Sequence, residues 1–488
     1  MRRFFQIGFA AAFLALASAR AADIHVDNLA GDDANSGAAL EQSVRTFKRA
    51  VSLLKPGDNL RIVNNGVPYH EMLAFTRPAG AADAPITVYG NGAVIDGSDP
   101  LDPGEWEEIA PGLYQNDTRV ARDRWDYTHL WRFFLVVDGK INRMNRCMKG
   151  FNAPLKKPDE LAEGEWTLSS VEANQAPYVI YVKIDPGKKL ADCDIRMPVR
   201  MNGVSIHNKA DYVHVKDLTA TRVLNDGFNL SRDDDAEQTD IRLENIQAID
   251  CGDDAVSGHK STIRVNGLYS SGNGTGIGDA SLNSVFENVV IENTAGTDIV
   301  FIQVYGGVAR NTVRNAVIRG AGHRQLTLSA EKGSQEIVFE NVCFIGKDEG
   351  DPAVRYYGKE EEEGSFTARG CAFLNLNWSC TAGGFDAADS LFTDRDDAGF
   401  YFRRAAGFAS AGNVFGLARI RLADEHYPVI RAEGVERYRA ATGDAGSVFV
   451  KKADVAGAAY EVDGRRRGFD LERFTNDALK ERARALIP

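Results

Sequence analysis

Three short phrases, Asn225-Asp226-Gly227, Gly252-Asp253-Asp254 and Gly274-Thr275-Gly276, recur in the middle of the chain, and an apolar strand-like run follows each. If folding brings them side by side, Asp226, Asp253 and Asp254 repel one another, so that one holds its proton above the usual range while another stays ionised. A proton donor and a water-activating carboxylate at the same pH are what hydrolysis of a glycosidic bond demands. The same carboxylates could instead hold a calcium ion, or act as turn-forming aspartates that bond only local backbone.

Other polar residues continue the row as candidates for substrate binding. Asp279 and Asp298 could meet sugar hydroxyls or an ion, and His323 and Arg324 lie further along. His259 shares a strand with Asp254; if Val256 points inward, alternation turns Ser257 and His259 outward. An outward histidine beside an acidic row is a candidate general acid or glycan contact, and equally an ordinary solvated side chain. His207 and His214 precede the row and read as structural. The acidic runs Asp233-Asp234-Asp235 and Glu360 to Glu363 read as loop surface, since neither has calcium-loop spacing.

What could position these residues is a repeat. The pattern apolar-x-apolar-x-Asn-apolar begins at Val213, Ile241, Ile263, Ser284, Asn311, Ile337 and Phe366, at intervals of 28, 22, 21, 27, 26 and 29. Units of this size that alternate with period two and carry turn residues between them mark a β-solenoid. The fifth place holds Asp217, Asn245, Gly267, Asn288, Asn315, Asn341 and Gly370. Asn and Gly tolerate the left-handed backbone of a tight bend, and stacked amides can form a ladder. The expected fold is all-β: a single-stranded right-handed parallel β-helix with coils about 4.8 Å apart. Counting nine places from each ladder position aligns Asp226, Asp254, Gly276, Thr297 and Arg324 on successive coils, with Asn225, Asp253, Thr275, Gly296 and His323 one place earlier. Asp226 and Asp254 would then have Cβ atoms roughly 5 Å apart.

The flanks complete the division. Residues 1–21, with Arg2, Arg3, an apolar run and a small-residue pattern ending in Ala21, read as a secretory signal and imply a secreted or periplasmic protein with no membrane span after cleavage. Residues 22–425 are the expected β-helix. Its N-terminal cap spans 22–83 and includes a capping helix that places Phe47, Ala50, Val51 and Leu54 on one face. An irregular excursion spans 104–200 and could wall a cleft. Residues 426–488, with charge runs and a helical ending, read as a C-terminal capping segment. The net charge of −12 argues against nucleic acid, and an anionic glycan would need a local basic patch. The six cysteines fit neither a disulfide scaffold nor a metal site, leaving one or two pairs or buried thiols.

The order Asn-Asp-Gly, Gly-Asp-Asp, Gly-Thr-Gly-Ile-Gly resembles the motifs of the polygalacturonase group of pectin-lyase-like β-helical glycoside hydrolases. The resemblance implies acid and base roles among Asp226, Asp253 and Asp254. Thr275 stands where that group has histidine, and no Arg-x-Lys follows. The segments HVDNLAGDDANSG, RTFKRAVSLLKPGDNLRI and PITVYGNGAVIDG are similar to the opening of secreted β-helical polysaccharide lyases of the chondroitinase B and alginate lyase kind, which implies β-elimination from a uronate. Lys260, His259, His323 and Arg324 would be available for that chemistry. The expectation is therefore a monomeric, cofactor-free glycosidase, calcium being the open alternative, acting on a uronic-acid-containing polysaccharide. A polysaccharide lyase and a non-catalytic glycan- or surface-binding solenoid are the other two readings.

Overall fold

The computed structural model describes residues 21–77, 79–117, 127–168, 179–232, 237–320, 322–347, 353–358, 364–381, 383–397, 399–403 and 407–488. The expected signal segment up to residue 20 and both acidic runs lie outside these residues. Among the described residues two long and almost wholly parallel sheets dominate, one of sixteen strands and one of twelve, and the chain alternates between them once per coil. The fold is thus a large all-β parallel solenoid. Among the described residues no helix is long and apolar enough to cross a membrane.

The strands of the larger sheet bend where the repeat places its fifth residue. Asp217, Asn245, Asn288, Asn315 and Asn341 all have φ between 50° and 55°, and Gly267 and Gly370 are also at positive φ. Asn and Asp reach this region at modest cost, and Gly at almost none. The amide ladder forms in part. Asn245 Nδ2 donates to Asp217 Oδ1 at 3.2 Å, and Asn341 Nδ2 donates to Asn315 Oδ1 at 3.0 Å. Gly267 has no side chain to continue it, so Asn288 Nδ2 donates instead to Asn266 Oδ1 at 2.7 Å.

Inward residues fill the space between the sheets. One file of rings, Phe344, Phe373, Phe392, Phe415 and Phe449, stacks through the later coils with successive centroids 5.3, 5.1, 5.4 and 5.4 Å apart. Coil spacing sets this contact, and each ring pair adds about 1 kcal/mol beyond its area burial. At the start of the stack the helix Phe47–Leu53 buries Phe47 and Ala50 against the core, Phe47 lying on the Tyr69 ring at 4.7 Å.

The described residues between 98 and 198 leave the coils and build two small antiparallel sheets around a separate apolar cluster that includes Trp106, Phe133, Leu135 and Trp166. At the far end the helix Ala432–Thr442 sets Tyr438 against Phe415 and Phe449. The last thirty residues do not stay at that end. They run back along the bend of the larger sheet, where Asp470, Thr475 and Asn476 hydrogen-bond Asn341, Asn288 and Asn245. All six cysteines are free thiols, five of them buried.

The smaller sheet carries the row of polar residues, and its register corrects the count of nine at one position. Phe228 pairs with Val256, which places Asp226 level with Asp254, and Asp254 pairs with Thr275 rather than Gly276. Thr297 and Arg324 are paired as the count requires. The turn after Gly267 is one residue shorter than its neighbours, and a slip of one exchanges the faces of a strand.

Candidate active site

The turns joining the two sheets stack so tightly that side chains are excluded. A Cβ on Gly252 would lie 1.9 Å from the Leu224 carbonyl oxygen, which is why a glycine precedes the paired aspartates. The same crowding delivers Asp226, Asp253 and Asp254 to one place: carboxylate oxygens of all three lie within 4.8 Å of one another, and each residue is 2 or 3% exposed. Gly278 on the next coil leaves the room that Asp254 fills, since a Cβ there would stand 2.0 Å from Asp254 Oδ2.

Each carboxylate has its own environment. Asp226 accepts from Asn225 Nδ2 at 2.9 Å, from Asn229 Nδ2 at 2.5 Å, and from the backbone N–H of Asp254 at 3.0 Å. Asp253 accepts from Arg132 Nε at 2.8 Å and from Lys149 Nζ at 2.9 Å. Lys149 Nζ also donates to Asp254 Oδ1 at 2.5 Å. Both cations come from the excursion, and neither contact is foreshadowed by sequence spacing. Arg132 ends the helix Tyr127–Arg132. Lys149 lies on a segment pinned over the turns. Arg143 donates to the carbonyls of Cys251 and Gly272, Gly150 bridges Gly296, and Thr297 Oγ1 donates to Lys149 O.

This asymmetry splits the protonation of the three acids. Burial raises Asp254 well above the ordinary carboxylate range, and the charge of Asp253 adds to the effect. Asp226 is raised for the same two reasons. Burial would raise Asp253 too, but Lys149 and Arg132 outweigh it and hold that carboxyl at about 2. Lys149, half-buried, is kept protonated by Asp253 and Asp254, which outweigh its desolvation. A carboxyl with a raised pKa and one with a lowered pKa therefore stand side by side, the division that separates an acid from a base. Among the described residues the three acids are the group that could hold a cation, but Lys149 and Arg132 already pair with Asp253, and Lys149 with Asp254.

The other expected residues divide. His259 looks over the cluster: Ser257 Oγ is 3.4 Å from its Nε2 and the Tyr305 hydroxyl 3.4 Å from its Nδ1. Burial lowers its pKa, so the ring is neutral at neutral pH. Arg324 sits three coils from Asp254 on the same register, and His323 is held edge-on by Phe151 at 5.0 Å. Asp279 and Asp298 are not presented for sugar contact. Asp279 fills the space left by Gly258 beside the core residue Ile263 and accepts from Ser281 N and Ser284 Oγ, and Asp298 is fully buried under Gly320. Both sit on the smaller sheet, but at positions that serve the coil interior.

No family model matches the chain, and no curated protein sequence is similar to it. Among solved structures, the complex of XylC with xylose shares 12% identity, with 91% of this chain and 88% of that one covered and a TM-score of 0.55. A structure described as a glycoside hydrolase shares 11% identity over 83% of this chain and 95% of its own, with a TM-score of 0.39. The lacto-N-biosidase of family GH136 from Eubacterium ramulus shares 11% identity over 82% of this chain and 68% of its own, with a TM-score of 0.37. The similarity to XylC extends over nearly the whole chain and is a similarity of fold.

Proposed function

We propose that this chain is an exported glycoside hydrolase built on a right-handed parallel β-helix of the pectin-lyase type, and that it cleaves a uronic-acid-containing polysaccharide. The observation that carries the reading is the triad of carboxylates within 4.8 Å of one another, with two side-chain cations attached to one side of it. In this reading Asp254 gives its proton to the departing glycosidic oxygen. Asp253, ionised throughout, faces the positive charge that develops on the sugar ring and orders the water that attacks it. Asp226 fixes the backbone of Asp254 and shares the burden of charge. Arg132, Lys149 and Arg324 supply positive potential for an acidic glycan in a chain of net charge −12. The fold shared with a protein seen in complex with xylose supports a saccharide as the class of ligand to test first.

A second reading, uronate β-elimination, is favoured by one pair. The neutral imidazole of His259 could take the proton beside the uronate carboxylate, and the Tyr305 hydroxyl 3.4 Å away could return one to the leaving oxygen. Lys149 is excluded as that base because its neighbours keep it charged. Incubation with a panel of acidic polysaccharides separates the readings. The hydrolase releases reducing ends without new ultraviolet absorption. An unsaturated, absorbing product would install the lyase in its place. Binding without cleavage of any glycan would leave a non-catalytic solenoid.

A further inference from the structure

The segment that carries Lys149 has a second face. Between it and the turns at Asp250, Gly272, Asn293 and Gly322 lies a cavity of about 970 Å³, and none of the three clustered aspartates lines it. On its wall stands Arg146, 5% exposed. Its guanidinium rests on the Trp131 ring at 4.9 Å, and Nη1 donates to the Ala153 carbonyl at 2.8 Å. Its Nε has no hydrogen-bond partner, and no carboxylate among the described residues pairs with it. A buried, uncompensated guanidinium is costly unless an anion meets it. Burial alone lowers its pKa, with no acidic neighbour to oppose the shift.

The rim around Arg146 has the chemistry of sugar recognition. Asn145, Asn152 and Asn293 are exposed and offer amides that can both donate to and accept from hydroxyls. Phe151, 48% exposed, presents an apolar ring for a pyranose face. Asp250 is the one acidic residue of the lining, against Arg143 and Arg146, and Arg143 spends its donors on the Cys251, Gly252 and Gly272 carbonyls. Among the described residues of the lining, Arg146 is therefore the cation with donor capacity left for a ligand, and the planar fork of a guanidinium suits a carboxylate.

We infer that this cavity is a second glycan site, distinct from the carboxylate cluster, in which Arg146 takes the carboxylate of a uronate residue while Phe151 and the three asparagines hold the ring. The inference rests on the polysaccharide reading above. It gives the enzyme a remote grip on its polymer, one segment of chain serving both faces.

Binding measured apart from turnover tests it. The probes are fluorescently labelled oligogalacturonate, oligoglucuronate and oligomannuronate, with a neutral xylo-oligosaccharide as control, and the protein is the full chain carrying Asp254→Asn so that nothing is cleaved. At least one uronate probe is expected to bind in a salt-sensitive manner, and Arg146→Met, which keeps the stem on Trp131, to weaken it about ten-fold. Arg146→Lys should recover part of the loss, and Phe151→Ala should weaken the same probe without altering the circular dichroism spectrum. If no uronate probe binds, if Arg146→Met binds as its parent does, or if the neutral probe binds equally well, the site is not what we infer. Should the wild-type chain cleave no glycan while Arg146-dependent binding persists, the hydrolase reading fails and this one stands.

Discussion

Asp226 accepts the backbone N–H of Asp254 through Oδ1 at 3.0 Å, so the acid of one coil fixes the main chain of the next at the residue assigned as proton donor. Residues 28 apart in sequence thus act as one unit, and the protonation of either is felt by both.

The pH dependence of catalysis follows from the split acids. The proposed hydrolysis needs Asp254 protonated and Asp253 ionised, so activity should fall as pH rises through the elevated pKa of Asp254, above the usual carboxylate range. The acid side is governed by Asp253, held at about 2 against an ordinary 3.8. Its folded pKa is depressed, so its contribution to stability is present above 3.8 and is lost as pH falls toward 2. A pH–rate profile of kcat/KM together with acid titration of the folded state checks both; an alkaline limit at the position of an unperturbed carboxyl would contradict the assignment.

Lys149→Met should narrow the split. Without the ammonium, Arg132 alone offsets the burial of Asp253 and Asp254 loses the group that holds it in place, and kcat should fall about a hundred-fold. Removing one partner of a largely buried ion pair should also cost about 3 kcal/mol in denaturant unfolding. Lys149→Arg, which keeps the charge, should recover most of the stability.

Gly278→Ala gives a sharper test of position. The new methyl would stand 2.0 Å from Asp254 Oδ2 and must push that carboxylate out of the cluster. Loss of activity with nearly unchanged circular dichroism is expected. Full activity in this variant would show that the place of Asp254 is immaterial.

Chelation addresses the calcium alternative. Because Lys149 and Arg132 already neutralise Asp253, treatment with EDTA followed by gel filtration should change neither activity nor melting temperature. A fall in either that added calcium reverses would replace the present account of the charge balance.

Asn341 tests the bend. It sits at φ 55°, donates to Asn315 and to the Asp470 carbonyl, and accepts from Asp470 N. Asn341→Ala should cost about 2 kcal/mol through lost hydrogen bonds and a strained left-handed backbone. Asn341→Gly removes only the first cause and should cost less, and thermal melts of the pair separate the two terms.

The coils were legible because their signal is local and repeated. Val213, Ile241, Ile263 and their successors declare strand and bend within six residues, and seven copies fix the register apart from the shortened turn after Gly267. The carboxylates were legible because the same register carries them. Arg132 and Lys149 were not, since they reach Asp253 across 121 and 104 residues from a segment with no period. The alternation that brought His259 beside the cluster could not distinguish it from Asp279, which lies inside the coil because Gly258 on the neighbouring strand makes room for it.

The returning C-terminal strand of chain changes what kind of object this solenoid is. A stack of coils held only by nearest neighbours can fray from either end, one layer at a time. Here Asn476 donates to Asn245 across 231 positions, and Thr475 and Asp470 repeat the grip further along. Such a splint binds early layers to late ones, so unravelling must be shared among them instead of passing from coil to coil.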